Sequence, residues 1–65
     1  MISLDVKKEW NGDYTFTVSN YWDKQSLTTS MFVSDFQINH IRQSVSYCHS
    51  LEDAIQTIKR ILGIN

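Results

Sequence analysis

The residue types that most often carry metal or nucleophile chemistry are sparse in this chain. It has one cysteine, Cys48, and two histidines, His40 and His49. Their spacing matches no zinc-binding pattern, and the neighbours Cys48 and His49 would diverge on a helix. A thiolate nucleophile at Cys48 would need a nearby base, for which His49 is the one candidate. We therefore predict no metal site, and we interpret Cys48 as a small core residue.

The glycines and carboxylates also give no sign of an enzyme. Gly12 is assigned to a hairpin loop and Gly63 to a helix end, which leaves no glycine for a phosphate-binding loop or a dinucleotide-binding motif. The acidic residues form no convergent pair, because they fit helix starts, turns or solvated strand faces. These residues are Asp5, Glu9, Asp13, Asp23, Asp35, Glu52 and Asp53. The sequence thus predicts no cofactor, no catalytic residue and no enzymatic activity.

Residues 35–48 carry a pattern that favours a binding surface. If they are helical, one side is an apolar stripe, and a second stripe lies roughly opposite to it. A helix cannot bury both sides on one sheet, and aromatic side chains beside adaptable polar groups are typical of interface cores. The alternative is that the first aromatic residue curls into the core while the others are ordinary surface residues. The second stripe consists of Phe36, His40, Gln43 and Tyr47.

Three further aromatic residues, Trp10, Tyr21 and Trp22, lie near predicted strand ends. Tyr21 and Trp22 are neighbours on a strand, so they point to opposite faces. Such residues can anchor a protein partner or stack on nucleic-acid bases. The alternative is that Trp22 covers the edge of the core and Trp10 packs across a hairpin. Base stacking normally accompanies a basic groove, which the nearby Asp13 and Asp23 oppose.

Charge and length limit the classes of partner. Six basic and seven acidic residues leave a net charge of −1, with no basic footprint for nucleic acid or an anionic membrane. No apolar stretch of about 18 residues and no signal-peptide pattern is present, so we expect a cytoplasmic protein with no membrane partner. Residues 1–65 form one predicted domain. A domain this small buries only about 60% of its unfolded surface, which favours association with another chain, including a homodimer.

The first two predicted strands form a hairpin. Residues 2–9 and 13–22 alternate apolar and polar side chains. A loop of residues 10–12, with Gly12 left-handed, keeps both apolar sets on one face by pairing Val6 with Phe16. A third strand over residues 27–33 would follow a turn at residues 23–26 and place Val33 opposite Phe16.

The remaining predicted elements are two helices, over residues 35–48 and 51–62. Ser34 and Gln37 form a capping box for the first, and Ser50 and Gly63 begin and end the second. The end of the first helix is poor in helix formers, and a strand over residues 44–48 is its rival. The predicted fold class is α+β, with a three-stranded antiparallel meander and both helices on its apolar face.

These observations leave three functional hypotheses. The first is a small non-catalytic protein that binds a larger protein as a regulator or inhibitor. In general character the chain is similar to small accessory proteins of phages and other mobile elements, although no specific motif carries that likeness. The second hypothesis is nucleic-acid binding through the sheet face, with Lys7, Lys8, Lys24, Tyr21, Trp22 and Phe32. The third is a structural subunit of a larger assembly.

Overall fold

The computed structural model describes residues 1–64 and contains three strands followed by two helices. The strands form an antiparallel sheet in the order β1-β2-β3. Helix α1 packs against β1, and helix α2 packs against β2 and β3. This arrangement confirms the predicted α+β fold. The elements are β1 (Ser3–Lys8), β2 (Tyr14–Ser19), β3 (Lys24–Thr29), α1 (Asp35–Val45) and α2 (Leu51–Leu62).

The first hairpin has the predicted register. Val6 pairs with Phe16, so the apolar side chains of β1 and β2 share one face. The loop has three residues, because the Glu9 amide donates to the Asp13 carbonyl at 2.7 Å. Gly12 has a φ of 93°, a left-handed value that costs glycine little and other residues much. The requirement that the alternating apolar residues of both strands share one face therefore predicted the three-residue turn correctly.

The prediction for the third strand was wrong by several residues. Strand β3 is Lys24–Thr29 rather than residues 27–33, and Leu27 instead of Val33 lies opposite Phe16. The turn comes earlier than predicted because Asn20 organises it. The Asn20 side-chain oxygen accepts hydrogen bonds from the amides of Trp22 and Asp23, at 2.8 Å each. Such an Asx turn reverses the chain as soon as β2 ends.

Helix α1 begins at the predicted capping box and ends earlier than predicted. Ser34 accepts a hydrogen bond from the Gln37 amide, and the Gln37 side chain accepts one from the Ser34 amide. The helix stops at Val45, and the chain then tightens through a bond from the Tyr47 amide to the Ser44 carbonyl at 3.2 Å. The rival strand over residues 44–48 is therefore wrong, and so is the extension of the helix to Cys48.

Helix α2 has the predicted bounds and supplies much of the core. Ser50 accepts a hydrogen bond from the Asp53 amide at 3.1 Å, and Gly63 ends the helix at a φ of 74°. Its apolar side packs beneath the sheet and α1. The buried core residues are Tyr14, Phe16, Val18, Val33, Ile41, Val45, Leu51, Ala54, Ile55, Ile58 and Leu62.

Candidate protein-binding surfaces

Aromatic side chains dominate the exposed apolar surface of this protein. Six of the eight aromatic residues are largely exposed, and only Tyr14 and Phe16 are buried. Large exposed apolar groups are the feature that most often marks an interaction site on a small soluble domain. The exposed aromatic residues are Trp10, Tyr21, Trp22, Phe32, Phe36 and Tyr47.

The best-defined of these surfaces is the turn between β2 and β3, which we call the aromatic turn (residues 20–23). Tyr21 is 90% exposed and Trp22 is 87% exposed. Their backbone is fixed by the two hydrogen bonds to the Asn20 side chain and by a 2.9 Å bond from the Asn20 amide to the Asp23 carbonyl. The alternative in which Trp22 covers the core edge is wrong. Two aromatic rings thus project from an ordered backbone, which lowers the entropy that a partner must remove on binding.

Two other aromatic residues lie toward the opposite end of the sheet. Trp10, in the loop between β1 and β2, is almost fully exposed, so the alternative in which it packs across the hairpin is wrong. Phe32 lies in the segment between β3 and α1, outside any strand. Its ring makes an edge-to-face contact with Tyr14 at a centroid distance of 6.4 Å. Phe32 is therefore partly used to cover the core, whereas Trp10 has no such role.

The second predicted surface is the α1 surface, composed of Phe36, His40, Gln43 and Tyr47. All four side chains are exposed, so the alternative that places Phe36 in the core is wrong. Phe36 and Gln43 are about 10 Å apart along the helix axis, from the rise of 1.5 Å per residue. Tyr47 follows the helix in the tight turn. His40 and Tyr47 also line a shallow groove of about 470 Å³ between the two helices.

The outer face of the sheet is polar and internally hydrogen-bonded. Thr15 and Thr28 pair through their hydroxyl groups at 3.1 Å, and Thr17 and Ser26 do so at 2.9 Å. Because β3 ends at Thr29, Phe32 is not on this face as predicted. Within the three described strands the outer face carries no aromatic side chain. Of the three aromatic residues in the nucleic-acid hypothesis, Tyr21 and Trp22 therefore lie in the turn beside this face and Phe32 lies in the segment after β3.

Cys48 is held between the two helices. It is half-buried against the core, with its sulfur 3.6 Å from the Ser44 carbonyl oxygen and 3.5 Å from the Thr57 hydroxyl. These contacts fit the structural role that the sequence suggested. Among residues 1–64, no group of three or more His, Cys, Asp and Glu side chains is arranged to hold a metal ion.

A further groove lies between β1 and α1, and the sequence analysis did not identify it. Its volume is about 690 Å³. It depends on where α1 sits relative to the edge of the sheet, which no local sequence pattern specifies. The groove is lined by Val6, Lys8, Tyr14, Asp35, Ile38, Asn39 and Arg42.

Neither helix in the part of the chain that the structure describes has the length and apolar character needed to cross a bilayer. Comparison with known proteins gives no match to a protein-family model, a curated protein or a solved structure.

Proposed function

We propose that this protein is a small non-catalytic module that acts by binding a larger protein, as a regulator or inhibitor of the phage or mobile-element accessory type. The observation that carries the proposal is the aromatic turn. Tyr21 and Trp22 are rigid, amphipathic side chains on an ordered backbone, and residues of this kind supply most of the binding energy at protein interfaces.

The surroundings of the aromatic turn favour a protein partner over nucleic acid. Asp23 and Lys24 are adjacent and offset each other's charge, so the turn has no basic groove beside it. The neighbouring outer face of the sheet presents hydroxyl groups that already bond to one another. A phosphate backbone would find few cations here, whereas an apolar pocket on a protein could accept both rings.

The experiment that tests this proposal is capture of partners by the immobilised chain from a lysate of the source cells, at salt concentrations from about 0.05 to 0.5 M. We expect specific proteins to be retained across the series and after nuclease treatment. Apolar contacts do not release counterions, so salt should change the retained amount far less than it would for a nucleic acid. A heat-unfolded sample of the same chain is the control for nonspecific adsorption.

Two results would contradict the proposal. One is that the folded chain retains no protein beyond the unfolded control. The other is that the retained material is nucleic acid, or is lost steeply as salt rises, which would support the nucleic-acid hypothesis.

The α1 surface supports a second part of the proposal, which is self-association into a homodimer. We expect the solution molar mass, measured by light scattering over a wide concentration range, to rise toward that of a dimer. Changing both His40 and Tyr47 to alanine should shift the dissociation to concentrations about tenfold higher or more, since aromatic anchors dominate interface energies. The matched control is Glu52→Ala with Gln56→Ala, a pair of exposed residues on α2.

Equal dissociation of the wild type and the His40/Tyr47 double variant would contradict this assignment. The thermal midpoint of each variant shows whether the fold itself is unchanged. It is measured at one protein concentration well below the dissociation constant of the dimer, where every sample is monomeric.

A further inference from the structure

Strand β1 presents an unpaired edge, and the amides that face it can be identified. The Glu9 amide donates to the Asp13 carbonyl, so Glu9 belongs to the set of residues bonded to β2. Hydrogen bonding in an antiparallel pair alternates along the strand. Because the pattern repeats every two residues before Glu9, the amides and carbonyls of Ser3, Asp5 and Lys7 also point toward β2. The amides and carbonyls of Leu4, Val6 and Lys8 are directed outward, to the open edge.

The widths of the two layers indicate that helix α1 extends beyond this edge. Packed helices lie about 8–10 Å apart, whereas neighbouring strands lie about 4.8 Å apart. Two helices therefore cover about four strands, and this sheet has three. Helix α2 packs on β2 and β3, and α1 packs on β1. The uncovered width is therefore on the β1 side of the sheet, and the groove of about 690 Å³ on that side lies between α1, the end of β1 and Tyr14 of β2.

The groove has an apolar floor and a basic rim. Val6 and Ile38 are half-buried, and both line the groove. Lys8 and Arg42 are exposed at its side, with the Lys8 ammonium 5.7 Å from the centre of the Tyr14 ring. The ion pair in residues 1–64 joins Lys7 and Glu9 at 3.6 Å and includes neither of these two cations. The single carboxylate along the groove is that of Asp35.

The other edge of the sheet lacks these features. The side chains of β3 that point toward the helices include Gln25 and Thr29, and only Leu27 is apolar. On β1 the corresponding positions, which pair with the same residues of β2, hold Leu4, Val6 and Lys8, and two of these are apolar. An added strand could therefore bury more apolar surface next to β1 than next to β3.

We propose that the β1 edge and the overhanging α1 form a slot for a fourth β-strand, supplied as an extended segment of a partner protein. This inference rests on the proposed function and specifies how a partner is held. The added strand pairs with the free backbone groups of Leu4, Val6 and Lys8. The side chain beside Val6 is apolar, and the one beside Lys8, two residues away on the same face, is Asp or Glu, which complements Lys8 and Arg42.

A second copy of the chain does not fit the slot. Edge-to-edge pairing of two β1 strands would continue the sheet at a spacing of about 4.8 Å and would bring each copy's α1 over the other's edge. The two α1 axes would then be closer than the 8–10 Å that packed helices need. A lone extended segment carries no helix and avoids this clash.

The test uses a displayed library of random peptides of about ten residues, selected on the folded wild-type chain. We expect the selected peptides to share an acidic and an apolar residue two positions apart. A synthetic selected peptide should slow amide hydrogen exchange at Leu4, Val6 and Lys8, which exchange fast in the free chain. Slowed exchange at alternate residues of β1 is a signature that contact elsewhere does not produce.

Charge reversal provides the specificity control. Arg42→Glu should weaken the peptide by about tenfold or more, because it places like charges together, and a peptide with its acidic residue changed to Lys should recover binding to this variant. The matched control is Arg60→Glu, which reverses an exposed arginine at the same place in α2, its last turn. That variant should bind the acidic peptide as the wild type does.

Several results would overturn the slot. One is a selection that enriches no peptide. Another is a set of peptides that bind the aromatic turn and leave hydrogen exchange in β1 unchanged, which would overturn the slot but leave the proposed function standing. Slow exchange at Val6 and Lys8 in a peptide-free dimer would place a second copy there and overturn the assigned partner. Failure of the proposed function itself is judged separately, by the lysate capture described above.

Discussion

Replacing Phe16 by alanine should lower the free energy of unfolding by about 3–5 kcal/mol, whereas the same replacement at Phe36 should leave it nearly unchanged. Phe16 is 0% exposed and lies in the central strand, opposite Val6 on one side and Leu27 on the other. Removing a buried phenylalanine ring typically costs about 3–5 kcal/mol, from lost apolar transfer energy and the cavity left behind. A chain of this length has about 3–10 kcal/mol of total stability, so this loss is a large share of it.

Phe36 provides the matched control because it is the same residue type and is 81% exposed. Its replacement should change the free energy of unfolding by no more than about 0.5 kcal/mol. Urea unfolding followed by circular dichroism measures both variants on one scale. A Phe16→Ala variant that keeps the wild-type midpoint would mean that the core is not centred on β2. A Phe36→Ala variant that unfolds would mean that Phe36 is a core residue after all.

The parts of the fold that sequence reasoning predicted correctly are those specified by nearby residues. Gly12 and the alternation of apolar and polar side chains along β1 and β2 allow one register, since a slip of one residue would move every apolar side chain of a strand to the wrong face. The caps at Ser34, Ser50 and Gly63 act within one helical turn. In each case the competing structure leaves an apolar face in water, or leaves an amide or carbonyl at a helix end without a partner.

The errors arose where two solutions satisfy the same local rule. Both Leu27 and Val33 are apolar residues that could lie opposite Phe16, so the hydrophobic pattern did not separate the two registers of β3. The deciding group was the side chain of Asn20, whose two hydrogen bonds start the turn earlier. The end of α1 is a similar case. After Val45 two successive backbone hydrogen bonds each run from an amide to the carbonyl three residues earlier, which ends the α-helix in a tighter turn. Helix propensity alone does not specify this change.

The candidate surfaces divide in the same way. Most of the α1 surface could be predicted, because Phe36, His40 and Gln43 recur at helical spacing opposite the apolar side of the helix, whereas Tyr47 lies in the turn after it. The exposure of Phe36 could not be predicted, because a residue in the first turn of a helix can point either toward the core or toward solvent. The groove beside β1 depends on the lateral position of α1 over the sheet, which results from the packing of α2 on β2 and β3. Such features follow from tertiary packing and have no local sequence signal.

Changing both Tyr21 and Trp22 to alanine should weaken binding to the captured partner by at least about 100-fold while leaving the fold intact. Each ring that anchors an interface contributes about 2 kcal/mol or more when removed, and 1.4 kcal/mol corresponds to a factor of ten. Both side chains are exposed, so their loss should change stability by no more than about 0.5 kcal/mol. The measurement is titration of the purified partner against each variant.

Two further variants identify what the aromatic turn contributes. Asn20→Ala keeps both rings but removes the two hydrogen bonds that fix their backbone, so it should weaken binding less than the double change does. Trp10→Ala removes an equally exposed ring from the loop between β1 and β2 and should leave affinity unchanged. If Trp10→Ala abolished binding and the Tyr21/Trp22 double variant did not, the partner would instead bind at the loop between β1 and β2. An effect of Asn20→Ala as large as that of the double change would mean that the ordered backbone, rather than the ring area alone, determines affinity.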